Sequence, residues 1–178
     1  YQGVLKLMPG TLLEYSADGE PREQTYSSLS DVAEATERDQ LDVSDAEAER
    51  LLEDLLTDAV KRRLVADVPL GMFLSGGVDS STIATLMQSV SDRPIRTFSI
   101  GFHEQSFDEA HHAKQVAAHL GTNHEEFYVT PAEAQAVIPN LPTIYDEPFA
   151  DSSQIPTFLV SQMTRRHVTV ALSGDGGE

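Results

Sequence analysis

The sequence predicts an α/β domain, a doubly wound parallel sheet flanked by helices. Three observations predict it. From residue 68 onward, short apolar runs alternate with amphipathic stretches, the pattern of strands joined by crossover helices. A glycine-rich string, Ser75-Gly76-Gly77-Val78-Asp79-Ser80, sits between one such run and a helical stretch. A second cluster, Ser173-Gly174-Asp175-Gly176-Gly177-Glu178, follows the last apolar run. Sheets of this kind bind ligands beyond the carboxyl ends of their strands, where the strand order reverses. Both glycine clusters are therefore placed to meet one ligand.

The elements follow in order. Residues 4–7 and 11–15 read as short strands separated by Met8-Pro9-Gly10, with Asp18-Gly19 as a further turn. Residues 27–43 are polar, acidic and aperiodic, and read as a linker. Ser44 and Glu47 form a capping box. It opens a helix on which Leu51, Leu52, Leu55, Leu56, Ala59, Val60 and Leu64 recur as one core-facing stripe. Residues 68–74 read as a buried strand, 80–90 as a helix and 95–102 as the next strand. Asp108 is placed to cap a helix with Ala110, Ala113, Val116, Ala117 and Leu120 on one face, and Gly121 to end it. Residues 126–130 form a third strand. Thr130, Pro131 and Glu133 then supply a cap, a first-turn proline and a capping-box glutamate. Ser152 or Ser153 opens a helix running toward Arg166, and residues 168–172 close the series as a fourth strand.

Composition bounds the function. The 178 residues are 40% apolar, enough for a packed core, and carry a net charge of −17. Lys6, Lys61 and Lys114 are the only lysines. No basic field is available to attract a phosphate backbone, so nucleic acid is not an expected partner. The acidic, lysine-poor surface also fits a salt-adapted source. There is no cysteine, hence no disulfide, thiolate metal site or cysteine nucleophile. No apolar run is long enough to span a membrane, and residues 1–7 lack the features of a signal peptide. A cytoplasmic protein with no membrane partner is the expectation.

The string Leu74-Ser75-Gly76-Gly77-Val78-Asp79-Ser80-Ser81 carries the chemistry. Two glycines let the chain turn tightly and approach a ligand. The following helix directs its free N–H groups into the same space, and Ser75, Ser80 and Ser81 add hydroxyls. These features make a phosphate cradle. It has neither the lysine of a Walker loop nor the spacing of a dinucleotide fingerprint. Asp79 would repel phosphate alone, but Mg2+ reconciles the two, because carboxylate and phosphate oxygens share a hard cation. Tyr145, Asp146, Glu147 and Asp151 read equally as one wall of a substrate pocket or as a solvated, proline-bent loop. The six histidines show no His-Glu-x-x-His spacing and read as surface or packed residues.

The loop Ser75-Gly76-Gly77-Val78-Asp79-Ser80 resembles the pyrophosphate-binding loop of the ATP pyrophosphatase (adenine nucleotide alpha hydrolase-like) superfamily. Within it, the chain is similar to the glutamine-dependent asparagine synthetases, which are class II amidotransferases. The strings that carry this are Asp67-Val68-Pro69-Leu70-Gly71, Thr97-Phe98-Ser99-Ile100-Gly101-Phe102 and Phe107-Asp108-Glu109-Ala110. His119-Leu120-Gly121-Thr122-Asn123-His124, residues 145–153 and residues 172–178 add to it. Residues 1–26 resemble, more weakly, the last strands of that family's glutaminase domain. The division implied is a glutaminase tail over 1–26, a linker over 27–43 and a truncated synthetase domain over 44–178.

The resemblance implies binding of ATP with Mg2+. Ser75, Gly76, Gly77, Asp79, Ser80, Ser81, Ser173 and Gly174 would contact the nucleotide, as would the backbones of Leu74 and Ile100. Asp175 would serve acyl-adenylate formation, and Asp79 and Glu178 would hold the metal. Glu178 departs from the aspartate usual at its place. The activity implied is amidation of aspartate to asparagine by a carbon–nitrogen ligase, through β-aspartyl-AMP, with AMP and pyrophosphate released. Ammonia would come from glutamine in a domain outside these residues, so the isolated segment is expected to be inactive. A homodimer of the full-length protein is compatible with this. Two other readings remain: a sibling amidotransferase or β-lactam-forming synthetase adenylating another carboxylate, and a nucleotide-binding fragment without catalysis.

Overall fold

In the computed structural model, residues 2–17, 19–102, 110–145, 147 and 150–175 are described. The chain divides into two units, Tyr1–Ala48 and Glu49–Glu178.

The first unit is a small hairpin followed by a helix. Strand β1 (Thr11–Glu14) pairs antiparallel with β2 (Arg22–Thr25), with Thr11 opposite Thr25 and Glu14 opposite Arg22. Residues 4–7, expected as a strand, are not one; the expected second strand pairs instead with the polar run Arg22–Thr25. The segment read as a linker contains helix α1 (Leu29–Arg38). The Ser28 hydroxyl accepts from the Asp31 N–H, Arg38 pairs with Glu34 at 3.0 Å, and no residue of the helix is buried. This helix stands on local capping and charge pairing; its short stripe of Leu29, Val32 and Ala33 is exposed and lies within a polar, acidic run that reads as a linker.

The second unit holds the parallel sheet. Helix α2 (Asp45–Arg63), which belongs to this unit from Glu49 onward, begins where the Ser44 carbonyl accepts from Glu47 and Ala48. Its stripe is only partly core. Val60 is 3% exposed and Leu56 and Leu64 pack beside it, whereas Leu52 and Leu55 are 57% and 69% exposed. The unit continues with β3 (Leu70–Phe73), α3 (Val78–Ser89), β4 (Arg96–Phe102), α4 (Ala110–Leu120) and β5 (Asn123–Val129). Helix α5 (Pro131–Val137), a 3-10 turn (Ile138–Asn140), α6 (Leu141–Ile144), α7 (Gln154–Thr164) and β6 (Val170–Leu172) complete it.

The expected Thr130 capping box is present in full, with Pro131 in the first turn. Gly121 follows α4 at φ +69°, where a β-carbon would be strained. The Asp108 cap lies outside the described residues.

The strand order is β5-β4-β3-β6, and all three pairings are parallel. The chain moves from β3 outward to β5 and then returns to the other side of β3. The order therefore reverses between β3 and β6, and a crevice opens there beyond the strand ends. One face of the sheet buries Met72, Leu74, Ala84, Met87, Ile95, Ala113 and Ala117 with Val60. Val129, Val137 and Leu159 form a second core, joined by Ile100, Phe102, Phe158 and Met163. Alanines at the buried positions of α4 let that helix lie close to the sheet. Among the described residues, no helix is long and apolar enough to cross a membrane.

Candidate nucleotide site at the switch point

Two loops leave the sheet at its reversal point, one after β3 and one after β6. The first is built around Ser75. Its Oγ lies 2.9 Å from the Ser80 Oγ and accepts from the Gly77 N–H at 3.2 Å, while the Ser75 N–H donates to the Ser80 Oγ at 3.2 Å. The two serines thus lock the loop against the first turn of α3. Gly76 has φ +85°, and a β-carbon there would lie 2.6 Å from the Ala113 nitrogen and 2.7 Å from the His112 Cβ. Only glycine allows this turn and its contact with α4 together. Helix α3 starts at Gly77, which has no side chain to cap it. Among the described residues its first-turn N–H groups suit a ligand or water.

The second loop folds onto the first. A β-carbon on Gly174 would sit 2.7 Å from the Ser80 nitrogen and 3.0 Å from its Cα. The Ser173 Oγ accepts from the Asp175 N–H at 3.4 Å. Between the loops lies a cleft of about 410 Å³. Ser75, Gly77, Asp79 and Ser80 line it from the first loop, and Ser173, Gly174 and Asp175 from the second. Ile100 lines it from β4, and Pro156, Thr157 and Val160 from α7. The α7 contribution left no signal in the sequence, because the order of strands, not spacing, brings that helix over the cleft.

The expected site residues divide accordingly. Those seven loop residues and Ile100 meet at one cleft. Gly76 stands behind it against α4. Leu74 is 1% exposed and donates its N–H to the Phe98 carbonyl at 2.8 Å, so its carbonyl is the backbone group it has to offer. The Ser81 Oγ is buried away from solvent and has no partner among the described residues. Glu178 and Asp146 lie outside the described residues. Asp151 serves locally: its Oδ1 accepts from the Ser153 N–H at 2.8 Å, a bond that holds the carboxyl below its usual range. It is not among the residues that line the cleft.

Asp79 is exposed on the first turn of α3, and Asp175 faces the same cleft. Among the described residues, no three His, Asp or Glu side chains converge into a metal cage. That donor set fits magnesium, which commonly takes one or two carboxylates and completes its shell with phosphate oxygens and water. The glycine backbone and uncapped helix start fit a polyphosphate.

The family model "Asparagine synthase" matches residues 51–178. A putative glutamine-hydrolysing asparagine synthetase 2 of Methanocaldococcus jannaschii is 48% identical over 125 residues, covering 70% of this chain and 24% of its own length. Glutamine-hydrolysing asparagine synthetase 1 of Bacillus subtilis is 35% identical over 175 residues, covering 98% of this chain and 26% of its own. The chain thus spans about a quarter of the length of these relatives. An NH3-dependent NAD synthetase from Campylobacter jejuni aligns with 68% of this chain and 54% of its own at TM-score 0.48 and 13% identity, too distant to bear on the site.

Proposed function

Because the chain belongs to the asparagine synthase family, we propose that its parallel-sheet unit binds Mg-ATP and activates the side-chain carboxylate of aspartate for amidation. The observation that carries this reading is the convergence of two glycine loops and two carboxylates on one cleft at the strand-order reversal. A carboxylate resists amidation because oxide is a poor leaving group. In the proposed reaction, a carboxylate oxygen of aspartate attacks the α-phosphorus of ATP. The bond to the bridging oxygen breaks, and pyrophosphate leaves with that electron pair. Ammonia then attacks the acyl carbon of β-aspartyl-AMP, loses a proton, and AMP departs as asparagine forms.

The residues of the chain act by position and charge. The backbone of Ser75 to Gly77 and the start of α3 cradle the phosphates. Ser173 and Gly174 close the opposite side. The Leu74 carbonyl lies just past β3 and Ile100 lines the cleft from β4, where they suit contact with the adenosine. Asp79 would hold Mg2+, which would neutralise phosphate charge when bound. Asp175 faces the reacting carboxylate and serves adenylate formation. Ammonia is proposed to come from glutamine split elsewhere in the full-length protein.

The test is exchange of labelled pyrophosphate into ATP by the full-length protein, run with aspartate and with other amino-acid carboxylates. Exchange that depends on aspartate supports the reading. Exchange driven only by a different carboxylate would move the assignment to a sibling ligase, and ATP binding without exchange would reduce the unit to a nucleotide-binding module.

A further inference from the structure

We propose that His124, with the hydroxyls around it, forms a pH-sensitive seat for α4, so that protonation of the ring loosens the glycine loop that α4 supports and weakens ATP binding. The inference rests on the reading that this loop holds ATP.

The observations lie away from the cleft, on the α4 side of the sheet. The His124 Nδ1 is 2.9 Å from the Thr97 Oγ1, and its Nε2 is 3.3 Å from the Ser99 Oγ. The Thr97 Oγ1 is also 2.8 Å from the Thr122 Oγ1. Thr97 is fully buried and Ser99 nearly so. One ring therefore ties two adjacent residues of the same face of β4 to β5 and to the turn before it. A neutral imidazole suits this place, with one nitrogen donating and the other accepting. A charged ring donates from both nitrogens and must do so where water is scarce.

Among the described residues, two charged groups act on the ring. Glu126, on its own strand, favours the charged form, and Lys114 of α4 opposes it. β4 presents the hydroxyls of Thr97 and Ser99 and the Thr97 backbone, the last of which also favours the charged form, while the Thr122 hydroxyl of the preceding turn bonds Thr97 rather than the ring. Glu126 is already engaged, by the Lys114 Nζ at 2.7 Å and the Tyr128 hydroxyl at 3.0 Å. Burial is the largest influence and holds the ring below the usual imidazole range. At neutral pH it is uncharged, and it takes a proton only on acidification.

A mechanical link to the loop exists. Lys114 ties α4 to Glu126, and the neighbouring Ala113 is fully buried in the core. The Ala113 nitrogen and His112 Cβ are the atoms against which Gly76 turns. A positive charge on His124 is attracted to Glu126 more than it is repelled by Lys114, so it competes with Lys114 for the carboxylate that ties α4 down, and this favours lifting of the helix and entry of water. The support behind Gly76 is then lost.

The experiment uses the full-length protein and its His124→Asn variant. ATP affinity is measured from pH 7.5 to 5.5, and the ratio of the two affinities removes the titration of ATP itself. The wild type should lose several-fold in affinity relative to the variant as pH falls. In the ligand-free wild type, with labelled histidine ring carbon and glycine nitrogen, the Gly76 amide resonance should move with the same midpoint as the His124 ring. A ratio independent of pH, or a ring that titrates while Gly76 stays still, overturns the inference. The Gly76 readout needs neither ATP nor the variant. If ATP fails to bind at any pH, the proposed function falls, and the resonance still decides whether the seat is coupled to the loop.

Discussion

Gly174 lies so close to Ser80 that a β-carbon on it would be 2.7 Å from the Ser80 backbone nitrogen. The loop after β6 can thus close onto the first turn of α3, and two segments about a hundred residues apart become the walls of one cleft. A side chain at Gly174 meets backbone atoms at the start of a helix, which cannot swing aside as a flexible side chain would.

Gly174→Ala should therefore destabilise the sheet unit by about 1–3 kcal/mol, the usual range for overpacking against an unyielding neighbour. It should also cut ATP affinity in the full-length protein. Thermal melting and ATP titration measure the two effects. Unchanged ATP affinity in a folded variant would mean that the loops need not touch to bind nucleotide.

Asp175→Asn should spare ATP affinity and slow aspartate-dependent pyrophosphate exchange. The expected loss is on the order of 10²-fold, as for removal of one well-placed electrostatic group. Melting curves must accompany the assay, since a misfolded variant also loses exchange. Normal exchange would remove Asp175 from the chemistry.

The sequence made the sheet unit legible because the signals there are local. The run before Ser75, the glycines, the alanine face of α4 and the Thr130 cap each specify a strand end, a turn, a helix face or a helix start. What it did not disclose depends on long-range pairing. The strand order brings Thr157 of α7 to the cleft, and Leu55 of α2 is exposed although it shares a stripe with buried Val60; neither follows from periodicity. Helix α1 was missed for another reason: its Leu29, Val32 and Ala33 stripe is short, unburied and set among acidic residues that read as a linker. The His124 cluster was also hidden, because Thr97 and Ser99 look like ordinary strand residues until β5 is laid beside them.

Stability should fall on acidification in two windows. His124 has a depressed pKa, so its contribution is complete above the unfolded value near 6.5 and is lost as pH falls toward the folded value. Glu126 is also depressed, chiefly by its hydrogen bond from Lys114, so its contribution is lost as pH drops below about 4.3. His124→Asn should flatten the upper window and Glu126→Gln the lower one. Chemical denaturation across pH, compared between wild type and each variant, measures both. A slope that persists unchanged in His124→Asn would place the upper window elsewhere.

The central claim, that the cleft is a Mg-ATP site, is tested most directly at Asp79. At about 4 Å, a carboxylate and a phosphate charge repel by roughly 4 kcal/mol at an effective dielectric near 20. With Mg2+ between them, the same carboxylate attracts. The sign of its effect must therefore depend on the metal. The measurement is ATP titration of the full-length protein and its Asp79→Asn variant, with Mg2+ and with excess chelator. The account predicts weaker ATP binding by the variant in Mg2+, and equal or tighter binding in chelator. The same change in affinity under both conditions would contradict it, leaving Asp79 as a first-turn helix residue with no part in holding the metal.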